Sequence, residues 1–345
     1  MEVITQPAVL DRLAHVSTVQ GATELGERLA NLDRWVRADL RDFEDELATI
    51  PRGARVVQAA AHHLLELSGK HLRPLCVALA SRFGEGFGPR ARGLAVAVEL
   101  VHTATLLHDD VVDVAERRRG QPAASIVYGN AAAIFAGDWL LVAALRRIAA
   151  SGVEGLLDRM LAVIDEMILA ESLQLENRGC IGGGREAYFR VVEGKTAALF
   201  RWAMVAGARA AGLPASSEAA LERFGLHLGV AFQAVDDELD FADHTGKDPL
   251  ADLREGKLTY PLVVALEREP ALRGRIEALL ANPSPHAGEL ATIAASVRAT
   301  GALVATRQLA KDHAARALAV LEELPAGAPR EALVTVALAS LERTS

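Results

Sequence analysis

The sequence predicts an all-α fold, formed as one large domain. Apolar residues recur with helical spacing in nearly every segment, and the strong helix formers alanine and leucine dominate these segments. Alternating runs of β-branched residues, which would predict strands, are hard to find. Glycine and proline breaks divide the chain into segments of about 12 to 27 residues, which suits the helices of a large bundle.

Four segments show the helical pattern most clearly, and several of them are apolar on more than one face, which is typical of buried helices. In chain order they are 94–107, 131–150, 156–175 and 217–241. Breaks between helices are predicted at 51–53, 84–89, 120–122, 179–184, 212–214, 282–288 and 325–329. The glycine-rich break at 179–184 follows a helical pattern and lacks the Gly-Lys-Ser/Thr ending of a phosphate loop, so it predicts a helix connection.

The pattern predicts how the chain is organised. No break is long enough for a domain linker, so we expect residues 21–345 to form one domain and residues 1–20 to be loosely ordered. The first residues lack a basic region followed by an apolar one, so no signal peptide is expected. Glu99, Asp138 and Arg201 interrupt the longest apolar stretches, which predicts no transmembrane helix and a cytoplasmic protein.

Composition excludes several classes of protein. The chain has 345 residues and only two cysteines, Cys76 and Cys180, which exclude a disulfide scaffold and a cysteine zinc cluster. Aromatic residues make up 4% of the chain and the net charge is -8. Binding to nucleic acid needs basic surfaces, and often aromatic ones, so no nucleic-acid partner is predicted.

The motif Asp-Asp-x-x-Asp occurs twice, each time at the end of an apolar segment. It comprises Asp109, Asp110 and Asp113 in one segment, and Asp236, Asp237 and Asp240 in the other. The first and last aspartates of each motif lie one helical turn apart on one face, where like charges repel unless a cation lies between them. Mg²⁺ suits such oxygen ligands. A single motif is equally explained by a solvated helix end, but two copies favour a metal site.

Other polar residues accompany these motifs. They are Glu99 and His102 before the first, Arg117 to Arg119 after it, Gln233 before the second, Lys247 and Lys257 after it, and Lys195 with Thr196 between the motifs. Carboxylates that hold metals, together with lysine and arginine side chains that bind phosphate oxygens, indicate a site for diphosphate groups.

The ordered set of motifs resembles the trans-polyprenyl diphosphate synthases, which condense allylic diphosphates with isopentenyl diphosphate. The matching motifs are Gly-Lys-His-Leu-Arg-Pro at 69–74, His-Thr-Ala-Thr-Leu-Leu-His at 102–108, Arg-Arg-Gly at 118–120, Gly-Asn at 129–130, Gly-Asp at 137–138, Glu171 to Gln174, Lys-Thr-Ala at 195–197, Phe-Gln at 232–233 and Gly-Lys-Leu-Thr-Tyr-Pro at 256–261. Each motif is weak alone, but the ordered set is specific and covers more than half of the chain.

The resemblance implies a helical bundle around a central cavity and roles for individual residues. The six aspartates and Lys195 would be catalytic, with the aspartates holding Mg²⁺, three ions when substrate is bound. The residues that would bind the allylic diphosphate are Arg118, Lys195, Thr196, Gln233, Lys247 and Lys257. The residues that would bind isopentenyl diphosphate are Lys70, Arg73, His102 and Arg119. A homodimer is expected on the same ground.

Some positions keep more than one interpretation. Glu171 and Gln174 suit either the substrate site or a polar pair on a helix surface. Asp138 suits substrate contact, helix capping or an internal hydrogen bond. The segment from Asp240 to Lys247 is a few residues shorter than the family pattern, and Leu250 stands where that pattern has glycine.

The reaction implied by the resemblance is ionisation of the allylic diphosphate, condensation and elimination. A class I terpene cyclase would not need the isopentenyl diphosphate residues Lys70, Arg73 and His102, so it is disfavoured. A non-catalytic subunit of a heteromeric prenyl synthase is disfavoured because such subunits typically lose aspartates, and all six are present.

Product length is predicted from the helix that carries Asp109. One helical turn rises about 5.4 Å, close to one extended isoprene unit, so side chains one and two turns before Asp109 would limit successive lengths. The residues there are Ala104, Thr105 and Val101, and none is bulky. We therefore expect a product of about 20 carbons or longer. The alternative is that a side chain from a neighbouring helix, such as Phe135, Trp139 or Leu140, blocks the growing product and limits its length.

Overall fold

The computed structural model describes residues 23–67, 69–179, 183–241, 250–280, 282 and 286–343. These residues are overwhelmingly helical, so the predicted all-α class is confirmed. The prediction of loose order for residues 1–20 lies outside the described residues, as do Cys180 and Lys247.

Sixteen α-helices, one π-helix and one two-stranded hairpin make up the described chain. In order they are α1 (Thr23–Leu47), α2 (Val56–Leu65), α3 (Leu72–Ser81), α4 (Pro89–Val112), β1 (Arg117–Arg118), β2 (Gln121–Pro122), α5 (Ala124–Tyr128), α6 (Asn130–Ala150), α7 (Leu156–Glu176), α8 (Gly184–Val191), the π-helix (Val192–Ala197), α9 (Ala198–Ala210), α10 (Ala215–Asp240), α11 (Ala251–Arg254), α12 (Tyr260–Arg268), α13 (Leu272–Leu280), α14 (Ala287–Ala299), α15 (Ala302–Leu321) and α16 (Ala328–Leu341).

The four clearest sequence segments are confirmed as helices. Residues 94–107 lie within α4, 131–150 within α6 and 156–175 within α7, while 217–241 matches α10 to within one residue at its end. Helix α4 begins at Pro89, where proline's fixed φ suits a first turn, and it is buried along most of its length. Burial on several sides explains why its sequence is apolar on more than one face.

The chain divides into two compact units. The first comprises the described residues of Met1–Leu161, with Trp202–Leu221 and Pro325–Ala332, and the second comprises Ala162–Arg201, Glu222–Leu324 and the described residues of Leu333–Ser345. That residues 21–345 act as one domain stays a prediction. In the first unit α4 packs against α3 and α6, and α2 packs against α6. In the second, α12 packs against α8 and α15, with Leu262, Val264 and Ile276 in a core cluster.

The hairpin of β1 and β2 is the one element pair that the helical pattern did not predict. Its register pairs Arg117 with Pro122 and Arg118 with Gln121. The two turn residues, Arg119 and Gly120, have φ of 51° and 79°, as a tight two-residue hairpin requires. Strands of two residues are too short to show an alternating pattern, which explains the difference.

The π-helix carries Lys195 and Thr196 and packs closely against neighbouring helices of the second unit. A Cβ at Gly194 would lie 2.7 Å from the Cβ of Ala170, and a Cβ at Gly229 would lie 2.5 Å from the Cα of Ala197. Glycine at these two positions therefore lets α7 and α10 approach the π-helix backbone. Short π-helical turns inside α-helices are frequent at functional sites.

Among the described residues, every helix is either too short or too polar to cross a lipid bilayer.

Replacing Gly229 tests this close approach. Gly229→Ala would place a methyl group against backbone atoms of Ala197, so we expect the free energy of unfolding to fall by about 2 kcal/mol. The matched control is Gly274→Ala on α13, where no heavy atom lies within 4 Å of the new methyl group. There we expect no loss and a gain of up to about 1 kcal/mol, since alanine favours helix. Equal effects in urea denaturation would contradict the packing argument.

Candidate active site

The first aspartate motif ends α4, and its middle carboxylate is buried. Asp110 is 1% exposed, and Oδ1 accepts a hydrogen bond of 2.8 Å from Nε of Arg118 on the hairpin. Oδ2 is also buried and has no hydrogen-bond partner. Burial raises the pKa of the Asp110 carboxyl even though the Arg118 guanidinium opposes the rise. Oδ1 of Asp110 is thus held by Arg118, whereas its Oδ2 lacks a hydrogen-bond partner.

A neighbouring glycine makes room for the side chain that precedes this motif. A Cβ at Gly137 would lie 2.3 Å from Nε2 of His108. This ring nitrogen lies 3.1 Å from the carbonyl oxygen of Ile134 and 3.4 Å from Oδ1 of Asp138. Asp138 thus lies beside His108 with its side chain 57% exposed, and its role stays a prediction.

A buried ion pair lies beside the predicted isopentenyl diphosphate residues. Nδ1 of His71 lies 3.1 Å from Oε1 of Glu99, which is 3% exposed. Burial alone would raise the pKa of Glu99, but His71, His102 and Arg119 lower it to about 2. Burial alone would lower the pKa of His71, but Glu99 raises it. This pair places a carboxylate within a group of basic side chains.

The other basic residues of this group are close enough to influence each other. Burial, followed by Arg73 and Arg119, lowers the pKa of His102 well below its ordinary value, so its imidazole is neutral at pH 7. Nη1 of Arg119 donates 2.5 Å to the carbonyl oxygen of Leu67. A Cβ at Gly69 would lie 3.0 Å from the Arg119 guanidinium. Arg73 and Arg119 of the first unit thus influence the charge of His102, and Arg119 lies next to the segment that carries Lys70. That these residues bind isopentenyl diphosphate stays a prediction.

A chain of hydrogen bonds holds the second aspartate motif. Asp237 is 2% exposed; its Oδ1 accepts 2.9 Å from Nε2 of Gln233, and its Oδ2 accepts 3.1 Å from the backbone N–H of Tyr260. Oε1 of Gln233 in turn accepts 2.9 Å from the hydroxyl of Thr196. Burial raises the pKa of Asp237 to about 7, with a further contribution from Asp252. Three residues that the sequence singled out separately are thus joined in one network.

Asp240 ends α10 and caps the short helix α11. Its Oδ1 accepts 2.9 Å from the backbone N–H of Ala251, and its Oδ2 is buried without a hydrogen-bond partner. Leu250 precedes α11 with φ of 60°, a left-handed conformation that glycine adopts more easily. Burial and the neighbouring Asp252 raise the pKa of Asp240 to about 7. Asp252 therefore lies close enough to Asp237 and Asp240 to raise the pKa of both carboxyl groups.

Lys195 forms an ion pair with Glu171 of α7. Oε1 of the same Glu171 accepts 3.3 Å from Nε2 of Gln174, so the polar pair on the helix exists and also contacts a predicted site lysine. Lys257 pairs with Glu255, and its backbone N–H donates 2.9 Å to the carbonyl oxygen of Asp252.

Asp236 contacts a residue from the end of the described chain. Nη2 of Arg343 donates 2.7 Å to Oδ1 of Asp236, and the Arg343 side chain is 2% exposed. Sequence analysis did not single out Arg343, nor His71 as the partner of Glu99, nor the backbone of Tyr260. No local signal marks the first and last of these contacts, because their partners are 107 and 23 positions away along the chain.

The residues predicted to limit product length lie along α4. Val101 and Ala104 are each 1% exposed, and Thr105 is half-buried with its hydroxyl donating 2.8 Å to the carbonyl oxygen of His102. On α6, Leu140 is fully buried and Phe135 is 59% exposed.

Comparison with known proteins decides the family. A family model described as polyprenyl synthetase matches residues 54–297. The chain belongs to the polyprenyl synthetase family. Octaprenyl diphosphate synthase of Escherichia coli is 33% identical over 292 residues, which cover 84% of this chain and 90% of that protein. Heptaprenyl diphosphate synthase component 2 of Geobacillus stearothermophilus is 34% identical, over 87% of this chain and 94% of that protein.

Solved structures of polyprenyl synthases share the fold. A polyprenyl synthase from Caulobacter crescentus, complexed with calcium and isoprenyl diphosphate, aligns with a TM-score of 0.86 and 34% identity over 91% of this chain and 97% of that one. A decaprenyl diphosphate synthase from Rhodobacter capsulatus aligns with a TM-score of 0.85 and 32% identity over 92% and 99%. The predicted family and enzyme class, a prenyltransferase, are confirmed, and neither the cyclase nor the non-catalytic subunit is favoured.

The buried pair of His71 and Glu99 generates a pH-dependent prediction. Glu99→Gln leaves His71 and Arg119 without their carboxylate, so we expect the free energy of unfolding to fall by about 3 kcal/mol. The raised pKa of His71 gives stability that is full below 6.5 and is lost as pH rises through the raised value. The lowered pKa of Glu99 gives stability that is full above 4.5 and is lost as pH falls towards about 2. The difference from wild type should therefore be largest between pH 4.5 and 6.5.

Chemical denaturation across pH measures this difference. The control is Glu267→Gln, which breaks the exposed pair with Arg185. It should cost no more than about 1 kcal/mol. A Glu99→Gln effect as small as the control, or one that is constant from acid to alkaline pH, would contradict the assignment.

Proposed function

We propose that the chain condenses an allylic diphosphate with isopentenyl diphosphate in an Mg²⁺-dependent reaction, giving a polyprenyl diphosphate of about 20 carbons or longer. The observation that carries the proposal is that each aspartate motif leaves one buried carboxylate oxygen without a hydrogen-bond partner, Oδ2 of Asp110 and Oδ2 of Asp240. A buried charged oxygen is stabilised when a cation binds it. Family membership supports the same reaction class.

The donor set fits Mg²⁺. Mg²⁺ prefers oxygen ligands and is commonly bound by one or two carboxylates together with phosphate oxygens and water. In the part of the chain that the structure describes, no three His, Cys, Asp or Glu side chains form a ready metal cage. This suits ions whose coordination is completed by the diphosphate. When bound, Mg²⁺ would offset the negative charge that develops on the departing diphosphate.

The protein's own groups orient the motifs and bind phosphate. Thr196, Gln233 and the backbone N–H of Tyr260 fix the Asp237 carboxylate in one orientation. Arg118 holds Oδ1 of Asp110 and directs Oδ2 away from itself. Lysine and arginine side chains donate hydrogen bonds to phosphate oxygens, which supports the assignment of Lys195 and Lys257 to the allylic diphosphate.

Isopentenyl diphosphate is assigned to Lys70, Arg73, His102 and Arg119. Arg73, Arg119 and the neutral His102 lie close together, so they offer two fixed positive charges and one uncharged ring. A neutral imidazole donates a hydrogen bond without adding further charge.

A homodimer remains part of the proposal. Helix α6 exposes large apolar side chains, with Phe135 59%, Val142 49% and Ile134 40% exposed, as a helix covered by a second copy would. Heptaprenyl diphosphate synthase component 2 is named as one part of a larger enzyme, so a different subunit is the alternative partner. Light scattering of the purified protein distinguishes a dimer from a monomer that lacks its partner. A cytoplasmic location stays a prediction.

Turnover tests the function directly. The purified protein is incubated with an allylic diphosphate, labelled isopentenyl diphosphate and Mg²⁺. A new labelled lipid diphosphate is expected; an unlabelled hydrocarbon would indicate a cyclase, and no turnover a non-catalytic subunit.

The aspartates should carry this activity. Asp109→Ala and Asp236→Ala should each lower turnover by at least about a hundredfold, because each removes a charge that stabilises the transition state through the metal. Asp45→Ala, which removes an exposed aspartate of α1, is the control and should retain activity. Full activity of either motif variant, or of the wild type in excess EDTA, would contradict the metal assignment.

Product length should depend on Thr105. Thr105→Phe places a bulky ring one turn before Asp109, so the longest product should shorten by one or more isoprene units. Chromatography of the dephosphorylated products measures the change, with Val304→Phe at a 76% exposed position of α15 as the control. A wild-type product of about 15 carbons would contradict the prediction that the small side chains before Asp109 allow a product of about 20 carbons or longer. An unchanged product in Thr105→Phe would show that this side chain does not limit the growing chain.

A further inference from the structure

The last described residues pack against the helix that carries the second aspartate motif. Leu341, which ends α16, packs against a cluster that includes Ala234, Val235 and Leu239, apolar residues next to the aspartates on α10. Nη1 of Arg307 on α15 also donates to the carbonyl oxygen of Leu341. These two contacts therefore hold Leu341, two residues before Arg343, close to the second aspartate motif.

The guanidinium of Arg343 is buried between Asp236 and the ring of Phe232. Its Nη2 donates 2.7 Å to Oδ1 of Asp236 and 3.2 Å to the carbonyl oxygen of Phe232. Its Cζ lies 3.6 Å from the centre of the Phe232 ring, a cation–π contact. The Arg343 side chain is 2% exposed, whereas that of Asp236 is 26% exposed. A cation supplied by the protein thus already contacts the first aspartate of the motif.

We propose that Arg343 is a latch that neutralises Asp236 in the substrate-free enzyme and that a divalent ion must compete with it for this carboxylate. The inference rests on the proposed metal-binding role of Asp236. Two cations sharing one carboxylate repel each other, so the latch weakens binding of the metal alone.

The diphosphate would reverse this effect. Its oxygens bring negative charge that both the ion and the guanidinium can bind, and arginine pairs well with phosphate. Metal binding at Asp236 then depends on the presence of substrate. Arg343 acts through Asp236, so it is a positioning residue for the reaction.

Binding of Mn²⁺ to the full-length, substrate-free protein tests the latch. Free Mn²⁺ is measured by electron paramagnetic resonance, and the sites lost in Asp236→Asn define binding at the second motif. Arg343→Gln removes the charge but keeps a hydrogen-bonding side chain of similar reach. We expect Mn²⁺ to bind it roughly tenfold more tightly than wild type, because the competing cation is gone.

Two further variants separate charge from general disturbance. Arg343→Lys keeps the positive charge and should stay within about threefold of wild type. Arg223→Gln removes an arginine from α10, the helix that carries Asp236. Arg223 pairs with Glu323, and its replacement should leave Mn²⁺ affinity unchanged. If Arg343→Gln does not fold, Phe232→Leu removes the ring beneath the guanidinium, which also contacts the ring of Phe200, and should tighten Mn²⁺ binding about threefold.

The outcomes separate the latch from the proposed function. Mn²⁺ binding that Asp236→Asn leaves unchanged would overturn both. Binding that Asp236→Asn weakens, but that neither Arg343→Gln nor Phe232→Leu tightens, would overturn the latch alone. A second readout is hydrogen exchange of the amides of residues 333–343. Mn²⁺ alone should speed it in wild type as Arg343 is displaced, and unchanged exchange would contradict displacement.

Discussion

The arrangement of the second unit depends on one constraint: a carboxylate buried at the end of a packed helix must find its hydrogen bonds within the protein. Asp237 satisfies this through Gln233 on its own helix and the backbone of Tyr260 at the start of α12. Gln233 in turn needs Thr196, which requires the π-helix to lie close to α10, and Gly229 permits that approach. Three elements far apart in the chain are thereby positioned by one carboxylate. The neighbouring aspartates have other partners: Asp236 pairs with Arg343, and Asp240 accepts from the backbone N–H of Ala251.

Charge is arranged differently in the first unit. There Asp110 is paired with Arg118, and Glu99 is paired with His71 among several basic groups. The carboxylate of Glu99 reduces the repulsion that these bases would otherwise exert on each other. His102 stays neutral because burial and the neighbouring arginines Arg73 and Arg119 lower its pKa, although Glu99 opposes this shift. The unit thus holds several basic groups near one another, where the proposal places a diphosphate, and Glu99 offsets part of their charge.

Much of this organisation could be predicted from the sequence. Helical periodicity located α4, α6, α7 and α10, because their residues pack on a repeating face. Both aspartate motifs were evident because carboxylates one turn apart are costly without a cation. What the sequence did not reveal are contacts set by tertiary packing: the Arg343–Asp236 pair spans 107 positions, and Tyr260 acts through its backbone, which every residue possesses. The hairpin and the π-helix were missed because two strand residues, or one widened turn, leave too short a pattern.

The hairpin that carries Arg118 and Arg119 has a consequence for how this protein tolerates change. These consecutive arginines have separate partners, Asp110 for one and the Leu67 carbonyl oxygen for the other. Their divergence depends on the left-handed turn at Arg119 and Gly120 and on the pairing of Arg118 with Gln121. Because neighbouring side chains of a strand point to opposite faces, adding or deleting one residue would exchange the two directions. Evolution can therefore vary the exposed side chains of this hairpin far more freely than its length.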